Sequence, residues 1–240
     1  MTIITRKVKL AAAPEPPFVG TRIAIETTDE SPFWGFKDAA RVNESVLITI
    51  DWGDGTVETF DRTLVNLTHE YAVAGHYEVR ISDTVSSFTL SSLAGTCQTV
   101  YAPMICGVWS NAQTLQELRQ FVFSKCKQMA ELDLRETNIR GVPGYAFSGC
   151  TALTGLEGLP DGIREIGLSA FSGCTGLETV RFPNVVNISG TETSKPFSNC
   201  TALREIHFAE ANKEALLASA AFQFDPEHLG SPNGVVMFDL

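Results

Sequence analysis

The sequence predicts a two-domain, mainly β protein: a β-sandwich followed by a short repeat solenoid with a C-terminal helix-strand cap. Three observations carry this expectation. From Thr21 to about Ser82, short alternating apolar runs ("TRIAIETT", "SVLITIDW", "HYEVRIS") are each bounded by Gly, Asp, Asn or Pro, the pattern of half-buried strands at sandwich spacing. After Ser82 one phrase recurs as "FSKCKQMAEL" (123–132), "FSGCTALTGL" (147–156), "FSGCTGLETV" (171–180) and "FSNCTALREI" (197–206), with Cys-to-Cys steps of 24, 24 and 26. Finally, "EANKEALLASAAFQF" (210–224) reads as a helix, followed by Pro226, a "GSPNG" turn and the strand "VVMFDL".

Residues 1–20 read as an extended leader or linker. Arg6, Lys7 and Lys9 make a small basic arm, and Pro14, Pro16 and Pro17 favour an open chain after it. Residues 21–84 form the sandwich unit. Within it, "DWGDGT" places Asp54-Gly55 where a tight turn needs positive φ and lets Asp51 hold backbone amides, and Tyr71 suits a tyrosine corner with its hydroxyl tied back to the backbone. Residues 85–240 form the repeat unit. Its start, 85–118, joins it to the sandwich and contains a degenerate copy, "WSNAQTLQEL" (109–118), with Trp109 for the Phe and Ala112 for the Cys. Residues 209–240 cap its far end and cover the last apolar edge.

In each copy the Phe (Phe123, Phe147, Phe171, Phe197), the Cys (Cys126, Cys150, Cys174, Cys200) and a Leu or Met fall at i, i+3 and i+6, on one inward face of a short turn. A strand follows. Leu132, Leu134, Val180, Phe182, Ile206 and Phe208 point in; Glu131, Asp133, Arg135, Glu157, Thr179, Arg181, Glu205 and His207 point out. A period of 20–29 residues with one strand and one turn per unit is that of a leucine-rich-repeat solenoid. Stacked rungs about 4.8 Å apart line the four cysteines up as small inward apolar residues rather than as a tetrahedral zinc cage.

Composition narrows the function. With 44% hydrophobic and 19% charged residues the 240-residue chain is ordinary globular material, and its net charge of −10 argues against a nucleic-acid partner. No run approaches the ~20 apolar residues of a membrane helix, and the "LAAA" after the basic arm is too short for a signal peptide. No Walker or dinucleotide fingerprint occurs, no cofactor is expected, and "HEYAV" has Val73 where a zinc protease motif needs His. Of the four histidines only His207 lies on the repeat strands, facing away from the thiols, so cysteine catalysis lacks a base. Asp51, Asp54 and Glu58 are a weak calcium candidate beside their structural role in the turn. The sequons at Asn43, Asn66, Asn187 and Asn199 read as chance matches. What remains is the outward strand strip, where no aromatic cluster marks a hot spot.

The Phe-Ser-x-Cys-x-x-Leu repeat over roughly 109–208 resembles the BspA-like leucine-rich repeats of bacterial surface proteins. "ITIDWGDGTVETF" (48–60) with "HEYAVAGHYEVRIS" (69–82) resembles a PKD-type, immunoglobulin-like domain. Together these resemblances imply a non-enzymatic adhesion or display protein at the cell surface, presenting the repeat sheet face to a protein or glycan ligand. Two alternatives are a virion or prophage structural component, which suits a chain with a basic proline-rich arm and no signal peptide, and an accessory module of a hydrolase system.

Overall fold

The alternating runs of the N-terminal half pair as antiparallel strands. The computed structural model describes residues 18–30, 33–36, 40–42, 48–60, 67–82, 85–88 and 102–240. The basic arm with its prolines, Cys97, and the sequons at Asn43 and Asn66 lie outside the described residues. The strands are β1 (Gly20–Thr27), β2 (Phe33–Phe36), β3 (Ala40–Val42), β4 (Ile48–Asp51), β5 (Val57–Phe60), β6 (Leu67–Glu70), β7 (Gly75–Ser82) and β8 (Val85–Phe88). β1 lies against β7 from Gly20 opposite Ser82 to Thr27 opposite Gly75, and β4 joins β7 to β5. Period-two patterning sends Ile23, Ile25, Ile48, Ile50, Val79 and Ile81 inward, where they pack with Trp34, Trp52 and Tyr71.

The repeats wind into a solenoid of about five turns, and each full turn has two places for a strand. The strands are β9 (Ile105–Ser110), β10 (Glu117–Leu118), β11 (Glu131–Asp133), β12 (Gly141–Val142), β13 (Glu165–Ile166), β14 (Thr179–Phe182), β15 (Asn187–Ile188), β16 (Glu205–Phe208) and β17 (Val235–Phe238). A first row, after each cysteine, pairs β9 with β11 and β14 with β16 and β17, all parallel. A second row, before the next aromatic, pairs β8 with β10 and links β12, β13 and β15, again in parallel. The first row breaks between β11 and β14. There the chain crosses at Gly158, whose carbonyl accepts the Leu134 amide at 2.6 Å and where any Cβ would overlap the Leu132 carbonyl.

The change of period near Ser82 does not interrupt the hydrogen bonding. β1 runs antiparallel along β9, with Thr21 opposite Ser110 and Arg22 opposite Trp109, so one six-stranded sheet runs β11-β9-β1-β7-β4-β5. β3 runs antiparallel along β8 at the head of the second row. Side chains reinforce the seam: the Thr21 and Ser110 hydroxyls meet at 2.9 Å, and Asn111 accepts the Gly20 amide at 2.9 Å while donating to the Phe18 carbonyl at 3.0 Å.

Along the turns the repeated phrase explains itself. Phe123, Phe147, Phe171 and Phe197 stack with ring centroids 5.3–5.5 Å apart, and all four are buried. Neighbouring turns exchange backbone bonds, Phe123 N–H to Ala146 O at 2.8 Å and Phe147 N–H to Ala170 O at 2.8 Å. The residue before each cysteine is left-handed: Gly149 at φ +79°, Gly173 at +74°, Lys125 at +65° and Asn199 at +63°. Glycine in "FSGC" thus suits a backbone conformation that Lys125 and Asn199 adopt at a steric cost.

The cap differs from the single helix expected over 210–224. A 3₁₀ turn (Glu210–Asn212) leads into two short helices, α1 (Lys213–Leu217) and α2 (Ala220–Phe224). Ser219 separates them at φ −75°, ψ 154°, its hydroxyl donating to the Leu216 carbonyl at 2.6 Å in competition with the helix ladder. The bend lets Leu216, Ala221 and Phe222 all reach the apolar edge, where Phe222 and Phe238 close against Phe208 at about 6 Å between centroids.

Two outcomes follow for chemical denaturation. Phe147→Ala removes a middle ring of the stack and lowers stability by about 3–5 kcal/mol. A Cβ at Gly149 meets only ordinary contacts, so Gly149→Ala costs about 1–2 kcal/mol from backbone conformation alone, and Lys125→Gly at the equivalent place raises stability by about 0.5–1 kcal/mol. A neutral Gly149→Ala would contradict the left-handed assignment.

Candidate binding face

The outer face of the first row is built across the seam. Register sets Arg22, Trp109 and Asp133 side by side on β1, β9 and β11. Val108 faces the core, so its neighbour Trp109 faces out, half-buried, with the Arg22 guanidinium 5.6 Å from its ring centroid. This corrects the sequence expectation in which Trp109 takes the place of the repeat's inward Phe. Ala112 does occupy a buried place, but Trp109 lies within β9 rather than in the turn. That placement also puts an aromatic ring on a face where no aromatic cluster was expected.

Charged side chains surround the tryptophan. Glu78 pairs with Arg80 at 2.8 Å and Arg22 at 3.7 Å, and Arg135 grips Asp133 with two bonds of 2.8 and 2.6 Å. The Arg135 guanidinium holds the Asp133 carboxyl below its usual range. Gly20, Arg22, Trp109, Ser110, Asp133 and Arg135 border a groove of about 410 Å³ here.

The predicted outward residues fall into two groups. Glu131 and Asp133 lie on β11 of the six-stranded sheet with Arg22 and Trp109, and Arg135 follows in the turn just past it, whereas Thr179, Arg181, Glu205 and His207 lie on β14 and β16 in a separate three-stranded sheet. Glu157 is exposed in the break between them. His207 departs from the expected exposed position and is only 4% accessible. Asp239, just past β17, meets its Nδ1 at 2.8 Å and Glu205 its Nε2 at 3.1 Å, so the last strand closes over the imidazole. This histidine ties the cap down rather than presenting a contact surface.

The acidic turn is engaged within itself. Asp51 accepts the Gly53 amide at 2.9 Å, Asp54 accepts the Thr56 amide at 2.9 Å and meets His69 at 2.8 Å, and Glu58 accepts the Trp52 indole N–H at 2.7 Å. Trp52 and His69 stack at 4.9 Å, and the Tyr71 hydroxyl donates to the Trp52 carbonyl at 3.0 Å. Burial pushes the Asp54 carboxyl up, but the bonds from His69 and Thr56 outweigh it and hold the group below its usual value. Among the described residues, no cluster of three or more His, Cys, Asp or Glu is placed to hold a metal ion.

The four repeat thiols are fully buried and unbridged. Cys150, Cys174 and Cys200 each donate S–H to a phenylalanine carbonyl of the previous turn, Phe123, Phe147 and Phe171, at 3.0–3.1 Å. Burial raises the Cys150 and Cys200 thiols, and the bond with Cys150 together with burial raises Cys174. At these three positions the shift favours the thiol over the thiolate, the form that attacks or ligates. Cys106 is partly accessible, and burial raises it too.

A second groove, of about 710 Å³, lies over the second strand row and was not anticipated from the sequence. Its lining includes Gln116, Asn138, Arg140, Val142, Arg164 and Ile166. The signal was present: Gln116, Arg140 and Arg164 recur at the same 24-residue step as the cysteines, just before apolar Leu118, Val142 and Ile166. These positions lie outside the phrase that anchored the alignment.

Residues 110–224, just under half of the chain, match the BspA type Leucine rich repeat region in six copies. Among solved structures, the chain is similar to a leucine-rich repeat protein from Bacteroides ovatus, at 21% identity and a TM-score of 0.40, over 69% of this chain and 47% of that one. It is also similar to the leucine-rich repeat protein of T. pallidum, at 22% identity and a TM-score of 0.34, over 51% of this chain and 58% of that one. The chain therefore spans about half the length of each. No curated protein matches it.

Two measurements test this chemistry. With Asp54 and Asp133 held below the ordinary carboxylate value of about 3.9, their contribution is full above about pH 4 and is lost as the pH falls through the lower folded values. Asp54→Asn therefore melts lower at pH 7 and shows a shallower loss of melting temperature between about pH 4 and 2.5; an unchanged acid slope contradicts the assignment. In a Cys97→Ser background, native thiol titration reaches Cys106 first, and the four stacked thiols react only on denaturation. Fast native reaction at more than one site rejects their burial.

Proposed function

We propose that this chain is a non-enzymatic binding protein, displayed at a cell surface, that docks a protein partner on the outer sheet face around Arg22, Trp109, Asp133 and Arg135. Leucine-rich repeat proteins generally mediate protein binding or adhesion. The observation that carries the more specific reading is Trp109, an indole held half-exposed under Arg22 on a broad sheet. Tryptophan and arginine are the side chains that most often dominate protein interfaces, and a ring of charged neighbours that excludes water is their usual surrounding. On this reading the strands before Ser82 form a PKD-type, immunoglobulin-like sandwich, a fold supported by the Tyr71 tie to Trp52, and act as a spacer. They also contribute Arg22, so the site needs both halves of the chain.

A panel of purified surface proteins and a glycan array, probed with the full chain, tests the proposal. Trp109→Ala lowers affinity for a protein hit by about 2 kcal/mol or more, some 30-fold, and Arg135→Ala weakens it less. Arg181→Ala and Glu205→Ala, beyond the break, stay within about twofold. Full binding by a folded Trp109→Ala variant, or hits confined to glycans, defeats the proposal.

A further inference from the structure

We propose that the groove over the second strand row is a separate site for an extended acidic peptide, with Arg140 and Arg164 as its two anchors. β12 and β13 set Gly141 opposite Glu165 and Val142 opposite Ile166, and the Arg164 amide donates to the Arg140 carbonyl at 2.8 Å. The two arginines therefore occupy equal places on adjacent rungs, about 4.8 Å apart along the solenoid. Both are exposed, and neither guanidinium has a carboxylate partner among the described residues. Arg22, Arg80 and Arg135, near Trp109 on the six-stranded sheet, each have one. Like charges a rung apart repel, and an incoming carboxylate relieves that repulsion while taking up the planar donor forks.

The rest of the groove narrows the choice of anion. Leu118, Val142 and Ile166 turn into the core beneath it, so the strip offers its polar side chains and backbone; Gly141 and Gly167 keep its wall low, and the Gln116 amide extends the arginine column one turn further. Glu117 and Glu165 also line it. Those carboxylates repel a uniform polyanion, whereas a peptide with acidic residues spaced between uncharged ones meets the arginines and presents no continuous negative charge. Acidic side chains on one face of an extended peptide repeat about every 6.8 Å, a spacing that two long arginine side chains on neighbouring rungs accommodate.

The test uses the full chain and a fluorescein-labelled octapeptide of alternating Asp and Val, its Lys-Val counterpart, and polygalacturonate as competitor, read by anisotropy. The Asp-Val peptide binds saturably, and each of Arg140→Ala and Arg164→Ala weakens it about tenfold. The double variant abolishes binding while its melting temperature stays that of the parent. Raising salt from about 50 to 300 mM weakens the complex, and Trp109→Ala leaves it unchanged, separating this site from the outer sheet face. Any of three results overturns the proposal: no binding of the Asp-Val peptide, equal binding of the Lys-Val peptide, or undiminished binding by the folded double variant. Displacement of the peptide by polygalacturonate at comparable molar carboxylate also overturns it and makes the groove a glycan site.

Discussion

The solenoid is organised around one acceptor, the carbonyl oxygen of the phenylalanine in each turn. The Phe123 carbonyl takes the Cys126 amide at 3.1 Å from its own turn and the Cys150 thiol at 3.1 Å from the next; Phe147 does the same for Cys150 and Cys174, and Phe171 for Cys174 and Cys200. A buried carbonyl needs a partner, and the thiol supplies one while filling apolar space that a hydroxyl would leave dependent on a full hydrogen bond. The thiol bond joins three successive pairs of turns, in step with the ring stacking and the left-handed residue before each cysteine. The motif is read well as a turn-to-turn fastener, and a reactive centre there would have to break it.

Much of this architecture was legible because it repeats. Stacking copies four times amplifies a weak local pattern, and the inward places of Leu134, Val180, Phe182, Ile206 and Phe208 in the structure are those set by alternation from the cysteines. The less legible parts are those where one copy differs from its neighbours. Trp109 stands in the right column by spacing, yet β9 must pair with β1, and strand alternation there turns the indole outward. Residues 155–159 carry the consensus turn but no strand, since Gly158 passes too close to the Leu132 carbonyl for a regular ladder.

His207 and the second strand row show two further limits. A histidine's exposure depends on what lies above it, and the covering residue, Asp239, is 32 positions away with no sequence signal to connect them. The second row was invisible for a different reason. Its repeat strands β10, β12, β13 and β15 are only two residues long, below the length at which alternation can be recognised, so nothing in the strand pattern joined Arg140 to Arg164. Only after two strand rows per turn are established do they fall into a column.

The antiparallel seam between β1 and β9 has a mechanical consequence. Modules joined only by a flexible segment transmit a pull through that segment, and each extends independently. Here a load applied to the N-terminal strands enters the repeats through the hydrogen bonds between Thr21–Ile25 and Ile105–Ser110, backed by the Thr21–Ser110 hydroxyl pair. Thr21 lies opposite Ser110, so the chain enters β1 and leaves β9 at the same end of the pair, and a pull between the two halves meets the Thr21–Ser110 end of the seam first.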